Sequence, residues 1–154
     1  MAADLKTTAL NMLGRRENTR AQLRRKLLQR KFESADIDRV LDDLVAAGFL
    51  DDARAAKTFT RHASHIKGQG RMRIARELAM KGVDPELVAQ TLDAQIDPDE
   101  EAGRLRAALE KRARGRDLSD RRESSKVWQA LVRQGFAPDA VSKALRAFGT
   151  REED

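Results

Sequence analysis

Two histidines and a glycine motif are the residues of this 154-residue chain whose spacing could support site chemistry. His62 and His65 stand one helical turn apart and could share a metal ion, but no Asp, Glu or Cys lies within a turn to complete the ligand set. Gly68-Gln69-Gly70 could cradle a phosphate at a helix start, with Arg71 adjoining, or could form a flexible connector. Without a Walker motif, a Ser/His/Asp grouping or any cysteine, the sequence predicts no enzyme, no metal site and no cofactor.

Basic side chains are more informative, because they recur in blocks. The net charges of segments 15–31, 34–52, 54–82, 84–101 and 104–133 are +7, −5, +7, −7 and +6. Opposite blocks can pair on neighbouring helices, but such pairing does not account for the net charge of +6. A surplus of base in recurring stripes favours a polyanion or an acidic protein face as the partner.

The candidate binding residues lie in the first two basic blocks. Arg16, Arg20 and Arg24 recur every four residues and are predicted to align along one helix, with Arg25 beside them. The whole candidate set is Arg16, Arg20, Arg24, Arg25, Lys67, Arg71, Arg73, Arg76 and Lys81. The alternative interpretation of each residue is a solvated side chain that flanks the core.

A threefold internal repeat must position these side chains. Five apolar positions recur with identical spacing, at offsets of 51 and then 53 residues. The matched sets are Leu23, Leu27, Phe32, Ile37 and Leu41; Ile74, Leu78, Val83, Val88 and Leu92; and Val127, Leu131, Phe136, Val141 and Leu145. Self-similarity at a fixed period is typical of stacked units that are each too small to bury their own apolar face.

The helical spacing of these positions predicts an all-α fold, an elongated solenoid-like array of three tandem three-helix modules. The modules are expected at 1–48, 49–96 and 97–149, followed by a disordered tail at 150–154. The segment 115–122 is basic and poor in apolar residues, which favours a flexible loop.

Capping residues predict several helix boundaries. Thr19 and Gln22 have the spacing of a capping box before the second helix, and Ser34 is predicted to cap the third. Another helix is predicted from Asp52 to His65. In the second module, Asp84 is predicted to cap a helix that starts at Pro85, where the missing proline N–H costs nothing.

The third helices of the first two modules argue against a sequence-specific DNA reader. A recognition helix in the major groove normally carries Arg, Lys, Asn or Gln at its start. Here the helix after Ser34 is acidic, and the helix after Asp84 carries no base up to Gln95.

The chain contains no cysteine, which indicates a reducing compartment, and it has no segment typical of a membrane span. The N-terminus is polar and partly acidic, which is unlike a secretory signal peptide. The longest apolar run, from Leu44 to Leu50, is far shorter than a membrane span. We therefore expect a cytoplasmic protein without membrane contact.

Three motifs stand out in the first two modules and at the joint between them. They are Leu13-x-x-Arg16-x-x-Thr19-x-x-Gln22-Leu23-x-x-Lys26-Leu27, Gly48-Phe-Leu-Asp51-Asp52, and Gly68-x-Gly70-x-x-x-Ile74-x-x-Glu77-Leu78-x-x-Lys81-Gly82-Val83. These motifs resemble those of the RecX family of regulatory proteins, and the resemblance extends over essentially the whole chain. Gln22 stands where the family often has Glu, and both residues fit a capping box. The third module matches only by spacing and apolar type.

The resemblance implies a non-enzymatic modulator of the RecA recombinase, with roles in DNA repair, recombination and the SOS response. RecX proteins bind in the groove of the RecA–DNA filament, span neighbouring protomers and usually inhibit ATPase and strand exchange. Many also bind DNA weakly and without sequence preference. The resemblance therefore implies the RecA filament as partner, and we expect this chain to act as a monomer.

One prediction and one alternative follow from this resemblance. Charge reversal at Arg20 and Arg24 together is predicted to weaken inhibition of the RecA ATPase. The alternative is a nonspecific DNA-binding helical protein that acts without RecA, whose affinity would fall steeply with salt whether or not RecA is present.

Overall fold

Helices form every regular element of the computed structural model, which describes residues 2–152. The predicted all-α fold is confirmed for this part of the chain, where none of the helices is both long enough and apolar enough to cross a bilayer. The α-helices are α1 (Ala2–Arg15), α2 (Arg20–Gln29), α3 (Ser34–Ala46), α4 (Asp52–Arg61), α5 (Arg71–Met80), α6 (Pro85–Gln95), α7 (Pro98–Ala113), α8 (Arg121–Gln134) and α9 (Pro138–Glu152).

The repeated apolar positions form the core of these helices. All of them are buried except Phe32 and Leu145, which are half-buried. Phe32 packs against the core formed by α1, α2 and α3, and Leu145 packs against the core formed by α7, α8 and α9. Burial of each apolar stripe stabilises helices that are too short to be stable alone.

The capping box starts α2 as predicted. The Thr19 hydroxyl accepts a hydrogen bond from the Gln22 N–H, and the Gln22 side chain accepts one from the Thr19 N–H. Helix α3 differs, because its N-cap is Glu33 and Ser34 is already its first helical residue. Ser34 Oγ accepts a hydrogen bond from Arg24 Nη2 instead, so the prediction that Ser34 caps α3 is wrong.

The helix predicted from Asp52 to His65 changes its winding before its end. Helix α4 ends at Arg61 and continues into the π-helical turn His62–Ile66. Ser64 is buried in this turn, and its hydroxyl donates a hydrogen bond to the Thr60 carbonyl over 2.9 Å. A π-helical turn places one additional residue in the winding of a helix, and such turns are frequent at functional sites.

The connection between α7 and α8 is shorter than the predicted loop at 115–122, because α8 already begins at Arg121. Asp120 is its N-cap and accepts a hydrogen bond from the Arg122 N–H. Two hydrogen bonds from Ser119, one from the hydroxyl and one from the N–H, lower the pKa of the Asp117 carboxyl in this turn. Helix α9 extends to Glu152, so the tail expected at 150–154 begins inside a helix; residues 153–154 lie outside the described residues.

The chain divides into two compact units, whereas the repeat predicts three modules. One unit holds the described residues up to Phe59 together with Glu77–Thr91, and the other holds Thr60–Arg76 together with the chain from Leu92 onward. Helices α4, α5 and α6 each cross this division, so each contributes one end to either unit.

Candidate partner-binding clefts

Two arginines of the predicted stripe form ion pairs with α3. Arg20 Nη2 lies 2.8 Å from Asp42 Oδ1, and Arg24 Nε lies 2.9 Å from Asp38 Oδ1. The hydrogen bond from Arg24, together with its charge, lowers the pKa of the Asp38 carboxyl; in turn, Asp38 raises the pKa of the Arg24 guanidinium. The pairing of opposite charge blocks, which the sequence left open, therefore occurs between α2 and α3.

Arg16 does not share the stripe of Arg20 and Arg24. It precedes α2 in the short connection from α1, where its carbonyl accepts a hydrogen bond from Asn18 Nδ2 over 3.0 Å. Because the capping box at Thr19 fixes the start of α2 downstream of Arg16, the prediction that the three arginines align along one helix is wrong.

Arg16 instead lines a shallow cleft of about 440 Å³ between the end of α1 and α2, which we name the α1/α2 cleft. Lys26 Nζ donates a hydrogen bond to Asn18 Oδ1 over 2.7 Å. Arg15, Arg16 and Arg30 form no ion pair with any other residue in the described range 2–152. The lining residues are Met12, Arg15, Arg16, Lys26, Gln29 and Arg30, a set of four cations without an acid that attracts anionic groups.

The loop before α5 does not act as a phosphate cradle. The Gly70 N–H donates to the Gln134 carbonyl over 3.0 Å, and the Arg71 N–H donates to Glu101 Oε1 over 2.6 Å. The Met72 N–H donates to the carbonyl of Gly135 over 3.0 Å. Since protein acceptors already occupy the first N–H groups of α5, the cradle interpretation of Gly68-Gln69-Gly70 is wrong.

Close backbone packing explains why the motif has glycine at position 70. A Cβ on Gly70 would lie 2.4 Å from the carbonyl carbon of Gly135 and 2.6 Å from the Phe136 nitrogen. Gly135 itself has a φ of +116° at the end of α8, a conformation that favours glycine. The motif therefore fixes the start of α5 against the end of α8, and it is not a flexible connector.

The remaining candidate residues lie in different surroundings. Arg71 Nη2 forms an ion pair with Asp93 Oδ1 at 2.7 Å, and Lys81 Nζ lies 4.6 Å from the centre of the Phe59 ring. Arg76 lines a separate depression with Trp128. Arg25 is exposed on α2, outside the α1/α2 cleft. Within each compact unit, the predicted basic residues thus have different neighbours, and their role in binding stays a prediction.

Lys67 and Arg73 line a second cleft, of about 750 Å³, which we name the α7 cleft. Its walls come from the π-helical turn, the loop before α5, α5 itself, α7 and the end of α8. Among the described residues, its lining holds no acid. The polar and charged lining residues are Ser64, His65, Lys67, Gln69, Arg73, Arg104, Lys111, Arg112 and Gln134.

The sequence interpretation missed the α7 side of this cleft. Arg104, Lys111 and Arg112 stand at positions i, i+7 and i+8 of one helix and therefore share a face. This spacing could have been recognised from the sequence alone. What the sequence could not provide is the packing that brings Lys67 and Arg73 to the same face.

Both histidines lie on the surface of the π-helical turn. His62 and His65 are both exposed, and His65 lines the α7 cleft. Within residues 2–152, no group of three or more His, Cys, Asp or Glu side chains could hold a metal ion.

Comparisons with known proteins agree over most of the chain. Family models for the first, second and third three-helix domains of RecX match residues 6–44, 51–92 and 99–145. A regulatory protein RecX of Halorhodospira halophila is 37% identical over 97% of this chain and 91% of its own. A regulatory protein RecX of Leptothrix cholodnii is 38% identical over 92% of this chain and 87% of its own.

Solved structures show the same fold. A RecX structure from Lactobacillus salivarius superposes with a TM-score of 0.83 over 97% of both chains at 22% identity. A second RecX structure gives a TM-score of 0.76 over 92% of this chain and 71% of its own, also at 22% identity. With three matching domain models and relatives above 30% identity over nearly its full length, the chain belongs to the RecX family of regulatory proteins.

Proposed function

We propose that this chain regulates the RecA recombinase by binding the groove of the RecA–DNA filament and inhibiting RecA ATPase and strand exchange. Its membership in a family of regulatory proteins supports a regulatory role, and the name RecX points to RecA as the partner. The proposal requires no catalytic step from this chain, because occupying the groove suffices to resist the rearrangements of ATP turnover and to hinder pairing with a second duplex.

The observation that carries the proposal is that each compact unit presents a cleft that is lined by cations and, among the described residues, by no acid. The α1/α2 cleft carries four Lys or Arg side chains, and the α7 cleft carries five. A filament repeats its acidic surfaces and its DNA phosphates from protomer to protomer. Two clefts on one chain can therefore add individually modest contacts into a tighter overall binding.

The direct test measures RecA ATPase on single-stranded DNA with this protein added at substoichiometric amounts. A parallel titration uses the same DNA without RecA. Because a filament-directed regulator acts through protomers and not by coating DNA, we expect inhibition at ratios too low to cover the strand. Inhibition only at DNA-saturating amounts would mean simple competition for DNA.

A matched pair of variants connects the inhibition to the α1/α2 cleft. Replacing Arg16 and Arg30 together by Gln removes two unpaired cleft cations without breaking an ion pair, and we expect about three- to tenfold more protein to be needed for half-inhibition. Arg39→Gln is the control, because Arg39 is exposed on α3, outside both clefts, and paired with Asp36. Equal inhibition by the double variant and the control would remove this cleft from the interface.

The predicted effect of charge reversal at Arg20 and Arg24 stays a prediction, and its test needs a fold control. Two glutamates at these positions would face Asp42 and Asp38, their present ion-pair partners. Any loss of inhibition would then combine lost contacts with the partner and repulsion between the new glutamates and the two aspartates. The variant is informative only if its circular dichroism and melting temperature match those of the native chain.

The second candidate function is nonspecific DNA binding without RecA, and the cation-lined clefts favour it to the same extent. It predicts a DNA affinity that falls with salt and is unchanged by RecA. The substoichiometric ATPase measurement separates the two, since a protein that binds only DNA cannot inhibit RecA on strand that it leaves uncovered.

A further inference from the structure

One arginine of the α7 cleft carries hydrogen-bond donors for which the described residues offer no acceptor. Arg104 lies on α7, and its side chain is only 18% exposed. Its Nε and Nη2 atoms are buried and have no hydrogen-bond partner among the described residues. Its Nη1 lies 4.0 Å from Glu100 Oε2, beyond hydrogen-bond distance.

The two unpartnered donors have the geometry of an oxyanion site. Nε–H and Nη2–H lie along the same edge of the planar guanidinium, and that edge matches two oxygens of a carboxylate or phosphate. A buried charged donor without an acceptor is costly, and native structures rarely retain one without a reason.

A second buried polar group of the same cleft also lacks a partner. Gln69 is 7% exposed and lines the α7 cleft, and its Oε1 atom accepts no hydrogen bond from any described residue. Rotation of this amide presents its NH₂ group to the same space, so Gln69 can serve as a further donor.

The positive charge around Arg104 and Gln69 indicates which ligand the cleft binds. Lys67, Arg73, Arg104, Lys111 and Arg112 line the cleft, whose volume of about 750 Å³ exceeds that of a single small anion. Lys67, Lys111 and Arg112 form no ion pair with any described residue. A single carboxylate would leave most of their charge unbalanced, whereas linked phosphates bring several negative charges into one cleft.

We propose that the α7 cleft is a phosphate-binding site in which the edge of the Arg104 guanidinium holds two oxygens of one phosphate. Lys111 and Lys67 contact neighbouring phosphates. No Phe, Tyr or Trp side chain lines the cleft among the described residues, so the proposal assigns recognition to the phosphates and expects it to be independent of base sequence. The phosphates can come from a nucleic-acid backbone or from a free polyphosphate such as a nucleotide.

The test uses the full chain in the absence of RecA and measures binding of a fluorescent oligothymidine by anisotropy at several KCl concentrations. We expect Arg104→Gln to weaken binding about tenfold or more. We also expect it to lower the slope of log affinity against log salt by about 0.7, the share of one phosphate on a single strand. Arg104→Lys keeps the charge but loses the two-donor edge, so its affinity should lie between those of the native chain and Arg104→Gln.

The control lies on the same helix. Arg106→Gln removes one charge from α7 outside the cleft, and we expect a change of no more than about twofold. Lys111→Gln changes an exposed residue of the cleft and provides a second variant whose folding is not at risk. Equal binding by the native chain, Arg104→Gln and Lys111→Gln would overturn the proposal.

Competing probes identify the source of the phosphate. Displacement of the oligonucleotide by ATP or pyrophosphate at lower concentration than by unlabelled oligothymidine would assign the site to free polyphosphate, and the reverse order would assign it to the nucleic-acid backbone. A polyglutamate peptide that binds more tightly than either, with the same dependence on Arg104, would overturn phosphate as the ligand. Because RecA is absent, failure here leaves the proposed inhibition of RecA untouched.

Discussion

Gly70 and Gly135 are far apart in the sequence, and their backbones meet so closely that neither can accept a side chain. A Cβ on Gly70 would meet the Gly135 carbonyl carbon, and a Cβ on Gly135 would meet the Gly70 carbonyl oxygen at 2.6 Å. Backbone atoms cannot move aside as the end of a flexible side chain can. The sequence shows the first glycine as part of a motif, but only the structure shows that the second glycine is its partner.

We predict that Gly70→Ala destabilises the fold by about 2–3 kcal/mol, because the added methyl group overpacks two backbone segments. Gly103→Ala is the control: Gly103 lies inside α7, a Cβ added there would have nothing within 4 Å, and alanine favours a helix by about 1 kcal/mol. Urea denaturation followed by circular dichroism measures both. Equal stability of Gly70→Ala and the native chain would contradict the close packing.

The pairing of Asp38 with Arg24 predicts how the stability of the fold depends on pH. The hydrogen bond from Arg24 lowers its folded-state pKa, so the pair stabilises the fold above the ordinary carboxyl pKa. This contribution is lost as the pH falls from about 4 through the lowered folded pKa of Asp38. Arg24→Gln should raise the pKa of Asp38 toward its ordinary value, as followed by NMR titration of the carboxyl carbon. An unchanged titration would show that the pair does not persist in solution.

At the scale of elements, Thr19 connects the start of α2 to the end of α5. Its hydroxyl caps α2 and also donates a hydrogen bond to the Lys81 carbonyl, and Thr19 is only 2% exposed. Ala21 lies in the same contact, since a Cβ on Gly82 would stand 2.4 Å from the Ala21 Cβ. A capping motif that is local in sequence therefore also fixes a contact between distant segments.

Thr19→Ala is predicted to cost about 1–2 kcal/mol, because it removes the cap and leaves the Lys81 carbonyl with one donor fewer. Thr19→Ser keeps the hydroxyl and should recover most of that stability. Thermal unfolding of both variants provides the comparison. The double role of the hydroxyl would be excluded if serine were no more stable than alanine.

Sequence patterns predicted the elements well where the pattern is local. The repeated apolar spacing predicted which residues are buried, and the capping residues Thr19 and Asp84 predicted two helix starts. Prediction failed where a side chain had two possible partners: Ser34 bonds Arg24 and does not cap α3. The clefts required tertiary information, because the sequence could not indicate which cations face an acid and which stay unpaired.

At the scale of the whole molecule, the three helices of the middle trio, α4, α5 and α6, pass from one compact unit to the other. A continuous helix cannot unfold in one unit without losing hydrogen bonds that lead into the next. We therefore expect a single cooperative unfolding transition, as is usual for chains of this length.

Leu41→Ala tests this expectation, because Leu41 is fully buried in one unit and the single tryptophan, Trp128, lies in the other. The cavity should cost about 2–5 kcal/mol. We expect the midpoint measured by Trp128 fluorescence to fall together with that measured by circular dichroism. A Trp128 midpoint that stays in place would mean that the units unfold independently.

The lining of the α7 cleft depends on the one additional residue that the π-helical turn His62–Ile66 contains. Removing one residue from this turn would restore ordinary winding and rotate the chain beyond it by about 100° relative to α4. Lys67 directly follows the turn, so such a deletion would redirect its side chain without changing any basic residue that lines the cleft. Gain or loss of one codon in this segment could therefore alter binding in an evolving lineage while every basic residue is retained.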